Sequence, residues 1–320
     1  MTKQVCIPLP KPLDQLNAAE LERKAAIGKI MTYTLRSLTD TFVSKGFDWL
    51  LPVALSQSTD PLWPDPGASI EKRIEVDIYG QPVRTTASMI VHKLVAASTA
   101  YQRLFILSPN IRIEKAERSK TGKHIYEFTQ LDFEIRNGTS QDVYALVEEA
   151  VCKLIKGLKV NCKVELDVLD RGDLKVPKAP FKILDREDLE GKYGADWEAC
   201  VCKEITEPVW IANIPREFYD FEDSETGKWD NYDLFMPQYG EVLSGARREH
   251  DYKRIYEKME REQVRKENYT IILKMAKEGR LKPTAGAGMG MERIVGYITG
   301  VSHIGECQPF PRVPGNVHEL

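Results

Sequence analysis

Four stretches of this chain put charged residues where plain packing gives no reason for them. In "EFTQLDFEI", Glu127 to Ile135, the two-residue period of a strand sets Leu131, Phe133 and Ile135 on one face. The other face carries Phe128, Gln130, Asp132 and Glu134, an aromatic ring, an amide and two carboxylates where a half-buried strand would show solvated Lys, Thr or Ser. In "NIRIE" the same alternation opposes Asn110, Arg112 and Glu114 to Ile111 and Ile113. Taken alone, Arg112 and Glu114 read as a surface cross-strand ion pair.

In "GAGMGMERIVGYITG" glycines allow a close-packed strand and turn before a helix that starts near Met291. Arg293 falls in the first helical turn, where the dipole disfavours a cation unless an anion neutralises it, and a phosphate would do so. The plainer alternative pairs a part-exposed Arg293 with Glu292 or another carboxylate. The stretch is neither a Walker loop nor a convincing dinucleotide fingerprint. In "YDLFMPQYGEVLSGARREH", Asp233, Glu241 and Arg248 stand among apolar or small residues. Those carboxylates could hold Mg²⁺, which takes oxygen ligands and substrate phosphates, or serve as salt-bridge partners of Arg247 and Arg248.

Rigid elements must hold these residues. Residues 1–17, with Pro8, Pro10 and Pro12, read as an arm, and residues 18–320 as the domain. A helical stripe of Ile27, Ile30, Met31, Leu35, Leu38 and Phe42 ends at Gly46. "FDWLLPVAL" follows as an apolar extended run, which Pro52 assigns to a sheet edge or an interface. "STDPLWPDPGAS" is loop, and "RIEVDIYG" with "PVRTTAS" is a hairpin turned at Gly80 and Gln81, with a short helix from Ser88. "RLFILSPNIRIEK" and the strand at Glu127 to Ile135, either side of a polar loop at Lys115 to Lys123, are expected as antiparallel neighbours. An amphipathic helix covers 141–158, and 159–205, weak in pattern, reads as an insertion. "PVWIANIP", "YDLFMPQYGEVLSG" and "TAGAGMGMERIVGYITG" give three more apolar elements, with one charged helix over about residues 250–278 between the last two. The expected fold class is α+β, a largely antiparallel sheet flanked by helices.

With 320 residues, 42% hydrophobic and 29% charged, the chain can bury a sizeable core, and a formal charge of −3 gives no overall case for nucleic-acid binding. Six cysteines show no metal-like or framework spacing, so "CVC" at Cys200 to Cys202 is read as chance. No apolar run approaches the ~20 residues of a membrane span and no signal-peptide core opens the chain, which makes the cytoplasm the expected location and a membrane no partner.

Taken in order, the charged stretches resemble the signature motifs of class II aminoacyl-tRNA synthetases, most closely the catalytic core of the aspartyl enzyme. The first motif resembles the long helix and "GFDWLLPVAL", with Pro52 at a homodimer interface; the second resembles "NIRIE" with "HIYEFTQLDFE"; the third is "GAGMGMER". The resemblance runs from about residue 20 to "QPFPR" near Arg312. It implies that Arg112 grips the ATP α-phosphate and Arg293 the γ-phosphate, that Glu114 meets the adenine amino group and Phe128 stacks on the ring, and that His124 lies near the outer phosphates. It implies Mg²⁺ on Asp233 and Glu241, with Ser244 beside them at the amino-acid site. It assigns the aspartate side-chain carboxylate to Lys93 and Arg248, and its ammonium to Gln130 and Asp132. Lys93 and Arg248, read as two unpaired buried cations, would select a dicarboxylic amino acid.

The chain departs from the synthetases in three places. Fewer than twenty residues precede the first core helix, leaving no room for an anticodon-binding barrel, so tRNA is not an expected partner. "SMIVHK" has Ile90 where the family has a glutamine on the substrate ammonium, and "STDPLWPDP" lacks the family's Glu-Gly. These features resemble the small archaeal-type asparagine synthetases related to aspartyl-tRNA synthetase. That resemblance implies an AMP-forming ligase that joins aspartate and ammonia at the cost of ATP. Making asparagine activates the β-carboxylate, so aspartate would bind in the reversed sense, its α-carboxylate on Lys93 and Arg248, with Asp60 as a candidate ammonium ligand and the loop from Ser58 to Ile70 as a candidate lid. No Cys-His-Glu glutaminase constellation is present, and free ammonia or a separate subunit would supply nitrogen. The rival readings are a ligase that charges a tRNA or a protein lysine, and a non-catalytic regulatory paralogue; intact Arg112, Arg293, Asp233 and Glu241 count against the latter.

Overall fold

Asn17 opens the first helix: its side chain accepts the Glu20 N–H while the Glu20 carboxylate accepts the Asn17 N–H. Helix α1 (Ala18–Ser44) runs from this cap, and the chain reverses at Gly46, whose φ of +77° suits glycine. The structure, a computed structural model, describes residues 7–58 and 70–319. The loop containing Asp60, expected as a lid, lies outside them.

After α1 come β1 (Asp48–Leu50), β2 (Leu55–Ser56), β3 (Ile70–Lys72), and the expected hairpin of β4 (Glu75–Ile78) and β5 (Gln81–Thr85). Helix α2 (Ile90–Thr99) leads into β6 (Arg103–Ile111), β7 (Ile113–Glu114) and β8 (Glu127–Arg136). Strands β6 and β8 pair antiparallel as expected, from Arg103↔Ile135 to Ile111↔Glu127. Helices α3 (Ser140–Asn161) and α4 (Lys163–Val168) precede β9 (Lys182–Asp185), α5 (Arg186–Tyr193), α6 (Trp197–Glu204) and β10 (Val209–Ala212). The chain ends through β11 (Asn231–Met236), β12 (Gly240–Arg247), α7 (Tyr252–Arg261), α8 (Thr270–Lys277), β13 (Thr284–Gly290) and α9 (Met291–Thr299).

One eight-stranded sheet organises the molecule in the order β1-β6-β8-β13-β12-β11-β10-β9. Its two outermost pairs, β1 with β6 and β9 with β10, are parallel and the rest antiparallel, so the expected α+β class holds. One face packs on α1, α3 and α9, and there Leu131, Phe133 and Ile135 of β8 join Phe42 and Leu38 of α1 in the main core. The two-residue period thus turns the polar residues of β8 to the opposite face, where α2 lies. Region 159–205, read as an insertion, is tied into this sheet. It supplies the edge strand β9, and Leu189, Trp197 and Val201 pack on Val209, Ile211 and Phe235.

The expected single helix over 250–278 is instead two. Helix α7 stops at Arg261, Gln263 takes φ +54°, and a 3₁₀ turn at Lys266–Tyr269 starts α8. No apolar residue at Glu262, Gln263 or Lys266 continues the buried stripe of Ile255 and Met259. The bend lets Val264, Tyr269 and Ile272 reach the same cluster. Among the described residues, no helix is long and apolar enough to cross a membrane.

Candidate active site

The polar face of β8 opens into a cavity of about 380 Å³. Its floor depends on the smallness of β13. A Cβ at Gly286 would overlap the Phe133 carbonyl and the Glu134 carboxylate, and one at Gly288 would lie 2.9 Å from Asp132 Oδ1. Among the described residues, every one expected in the site lines this cavity except Asp233.

At one end stand the groups assigned to the nucleotide. Arg112 occupies the break between β6 and β7. Its N–H donates to the Tyr126 carbonyl, its Nε donates to Ala87 O at 3.1 Å, and its guanidinium lies 5.1 Å from the centre of the Phe128 ring. No carboxylate forms a salt bridge with Arg112 among the described residues, so its charge is open to an anion. Glu114 is buried, with Arg118 Nε 3.7 Å from its carboxylate. Arg293 is part-exposed and pairs with another carboxylate than Glu292, as the plainer alternative allows: its Nη1 meets Glu241 Oε1 at 2.9 Å. Burial opposes the charge on Glu241, but Arg293 and Arg216 outweigh it and hold the carboxyl below its usual value. Glu292 instead turns inward and accepts the Thr129 N–H. Burial, then Arg293 and Arg118, lower His124 to about 3. The Thr121 hydroxyl donates to Arg118 O, so its oxygen accepts Nδ1–H of a neutral His124 at 2.6 Å.

At the other end the charges form one alternating chain. Asp132 meets Lys93 at 3.2 Å, Lys93 meets Glu134 at 3.5 Å, and Glu134 meets Arg248 at 3.4 Å. Arg248 then meets Asp220 at 2.7 Å, Asp220 meets Arg216 at 3.3 Å, and Arg216 meets Asp233 at 2.7 Å. This corrects the expectation that Lys93 and Arg248 are unpaired. Both are buried, and burying them in a folded protein without counter-ions would cost several kcal/mol each, roughly the effective penalty for a lone ion. The chain begins and ends on a carboxylate, so carboxylates outnumber cations by one. Gln130 accepts from Asn110 Nδ2 at 2.9 Å, and Ser108 donates to Asp132 Oδ2 at 2.7 Å.

Asp233 and Glu241 are paired, but with Arg216 and Arg293; Arg248 goes to Glu134 and Asp220, and Arg247 to Asp230. Ser244 Oγ lies 2.6 Å from Arg216 Nη1. Burial and nearby Glu241 push Asp233 up to about 6, against the pull of Arg216. Glu241 faces the cavity with hard oxygen donors and Asp233 lies just behind Arg216, a donor set that suits Mg²⁺ when phosphates complete the shell. Among the described residues no group of three or more His, Cys, Asp or Glu could hold a metal unaided. Glu134 was on the expected polar face without an assigned role. Arg216 and Asp220 follow β10 in irregular chain, where no period marks them; "PREFYD" only sets charges beside aromatics.

An antiparallel sheet whose polar face carries arginines and paired carboxylates is the catalytic architecture of the class II tRNA synthetases. The family described as tRNA synthetases class II (D, K and N) matches residues 71–314, and the chain belongs to it. Among solved structures, asparaginyl-tRNA synthetase from Pyrococcus horikoshii, complexed with asparaginyl-adenylate, is 21% identical with a TM-score of 0.79, over 98% of this chain and 76% of that one. The Entamoeba histolytica asparaginyl-tRNA synthetase, also with asparaginyl-adenylate, is 20% identical with a TM-score of 0.77, over 90% and 67%. A putative aspartyl-tRNA synthetase from Leishmania major Friedlin is 17% identical with a TM-score of 0.74, over 92% and 66%. At these identities the likeness speaks for the fold. Members of the family are ligases.

Proposed function

We propose that this protein is an AMP-forming asparagine synthetase that converts aspartate, ATP and ammonia to asparagine, AMP and pyrophosphate. The observation that carries the reading is the anion-heavy chain Asp132–Lys93–Glu134–Arg248–Asp220 at the amino-acid end. A whole amino-acid head, with its carboxylate on Lys93 and Arg248 and its ammonium on Asp132 and Gln130, enters as a neutral zwitterion. That sense of binding leaves the β-carboxylate free to reach Arg112. Ile90, buried in the cavity wall, places an apolar group where the synthetase pattern has a glutamine.

In this reading a β-carboxylate oxygen attacks the α-phosphorus, the bond to pyrophosphate breaks, and Arg112 offsets the charge that builds on the α-phosphate. Arg293 holds the outer phosphates, Phe128 and Glu114 hold the adenine, and Asp233 with Glu241 would hold Mg²⁺, which supplies charge neutralisation across the phosphates when bound. Ammonia then attacks the β-carbonyl carbon, AMP leaves, and the nitrogen sheds a proton. The molecule would act as a homodimer. The test is incubation with aspartate, ATP, Mg²⁺ and ammonium, with asparagine and AMP followed together by mass spectrometry. Equal amounts of the two are expected, and AMP without asparagine would send the activated carboxylate to a tRNA or protein-lysine acceptor instead. Arg248→Ala is expected to lose aspartate binding; unchanged binding sinks the reversed orientation.

A further inference from the structure

Asp233 is separated from the cavity by Arg216, whose guanidinium both lines the cavity and bonds Asp233 Oδ1 at 2.7 Å. We propose that Arg216 and a divalent cation compete for Asp233, so that the metal loads together with a polyphosphate and not before it. This rests on the reading of Asp233 and Glu241 as the metal carboxylates. Mg²⁺ binds through a few carboxylates plus phosphates and retained water, and arriving alone it meets a carboxylate already neutralised by a permanent cation. To coordinate Asp233 it must break a largely buried ion pair. A polyphosphate changes the balance twice, since it brings further oxygen ligands for the metal and an anion for the released guanidinium. The guanidinium has room to make that exchange. The Arg216 side chain is 23% exposed, against 12% for Asp233 and 1% for Asp220. Its Nε stays tethered to Asp220, itself fixed by Arg248, when the Asp233 contact opens. Arg216 is therefore a positioning residue that couples metal binding to nucleotide binding.

The test is a Mn²⁺ titration of the full chain, read from the electron paramagnetic resonance of the free ion, with and without a non-hydrolysable ATP analogue. The wild type is expected to bind Mn²⁺ weakly alone and tightly with the analogue. Arg216→Met is expected to bind Mn²⁺ about tenfold tighter without nucleotide, equivalent to about 1.4 kcal/mol. Asp233→Asn added to it should erase that gain. Arg216→Gln, which keeps a polar side chain without the charge, should show the same gain and serves if the methionine variant folds poorly. Folded variants that bind Mn²⁺ no tighter than the wild type overturn the competition, as does Asp233→Asn that leaves nucleotide-dependent Mn²⁺ binding intact. Because the readout is metal binding, a gain in affinity upholds the competition even in a protein that makes no asparagine, and asparagine formation without the gain overturns the competition alone.

Discussion

Arg112, in the break between β6 and β7, and Glu134 on β8 show how differently a charge can be kept. Arg112 has no carboxylate partner among the described residues and faces the cavity, whereas Glu134 is fully buried and bridges Lys93 and Arg248. Arg112→Ala is expected to lower kcat/KM for ATP by about 100-fold or more, the scale of losing one charge aimed at a transition state. The same change should shift unfolding by no more than about 1 kcal/mol, since it removes one part-buried hydrogen bond to Ala87 O and leaves no buried charge unpaired. Glu134→Ala takes from each of two buried cations one of its two carboxylate partners and is expected to destabilise by about 3–5 kcal/mol. Urea unfolding alongside steady-state kinetics reads both effects. An Arg112→Ala variant that unfolds as readily as Glu134→Ala would show that Arg112 is structural. The sequence marked both positions by their place in a two-residue period. It could not show which cation each carboxylate would find, because Asp220 and Arg216 come to β8 and β11 through chain folding alone.

At the scale of elements, the turn from β13 into α9 carries a pH dependence. Glu292, the second residue of α9, reaches across to the backbone N–H of Thr129 on β8 and so fastens the helix to the floor of the site. Burial pushes its carboxyl from 4.5 up to about 7. The folded state therefore holds this proton more tightly than the unfolded state. The stability it contributes is fully present below about pH 4.5 and is lost as pH rises to about 7, a difference of about 3 kcal/mol. Glu292→Gln keeps an acceptor for Thr129 and cannot ionise. It should match the wild type near pH 5 and exceed it at pH 8 in urea unfolding; equal slopes in the two proteins would discard this account. Strands β6 and β8 and helices α1 and α3 were readable because each turns a continuous apolar face to the core. The break between α7 and α8 was not readable, since a polar gap in a charged segment looks the same whether the helix continues or bends.

At the scale of the whole molecule, the β1 edge of the sheet remains apolar. On β1 and just after it, Trp49 is 53% exposed and Leu51 89%, with Val43 on the last turn of α1 at 53%. Among the described residues no strand pairs with the outer edge of β1, exposed apolar groups on consecutive elements there suit an interface, and a second copy of the chain is the proposed occupant. The patch is joined to the site by aromatic packing. Trp49 stacks on Phe105 of β6 with centroids 5.3 Å apart, and Phe42 and Phe47 meet Phe133 of β8 at 5.1 and 6.3 Å. A dimer would bury at least about 1,000 Å² there and fix the edge against which β6 and β8 hold Arg112, Gln130 and Asp132. Sedimentation equilibrium should give twice the chain mass of 36.4 kDa. Leu51→Asp should shift the protein to monomers without unfolding it, because Leu51 touches little within its own chain. The monomer should keep its circular dichroism and lose affinity for ATP as the floor strands loosen. A wild-type protein that sediments as a monomer at tens of micromolar, or a Leu51→Asp monomer with undiminished ATP affinity, would separate the edge from the site.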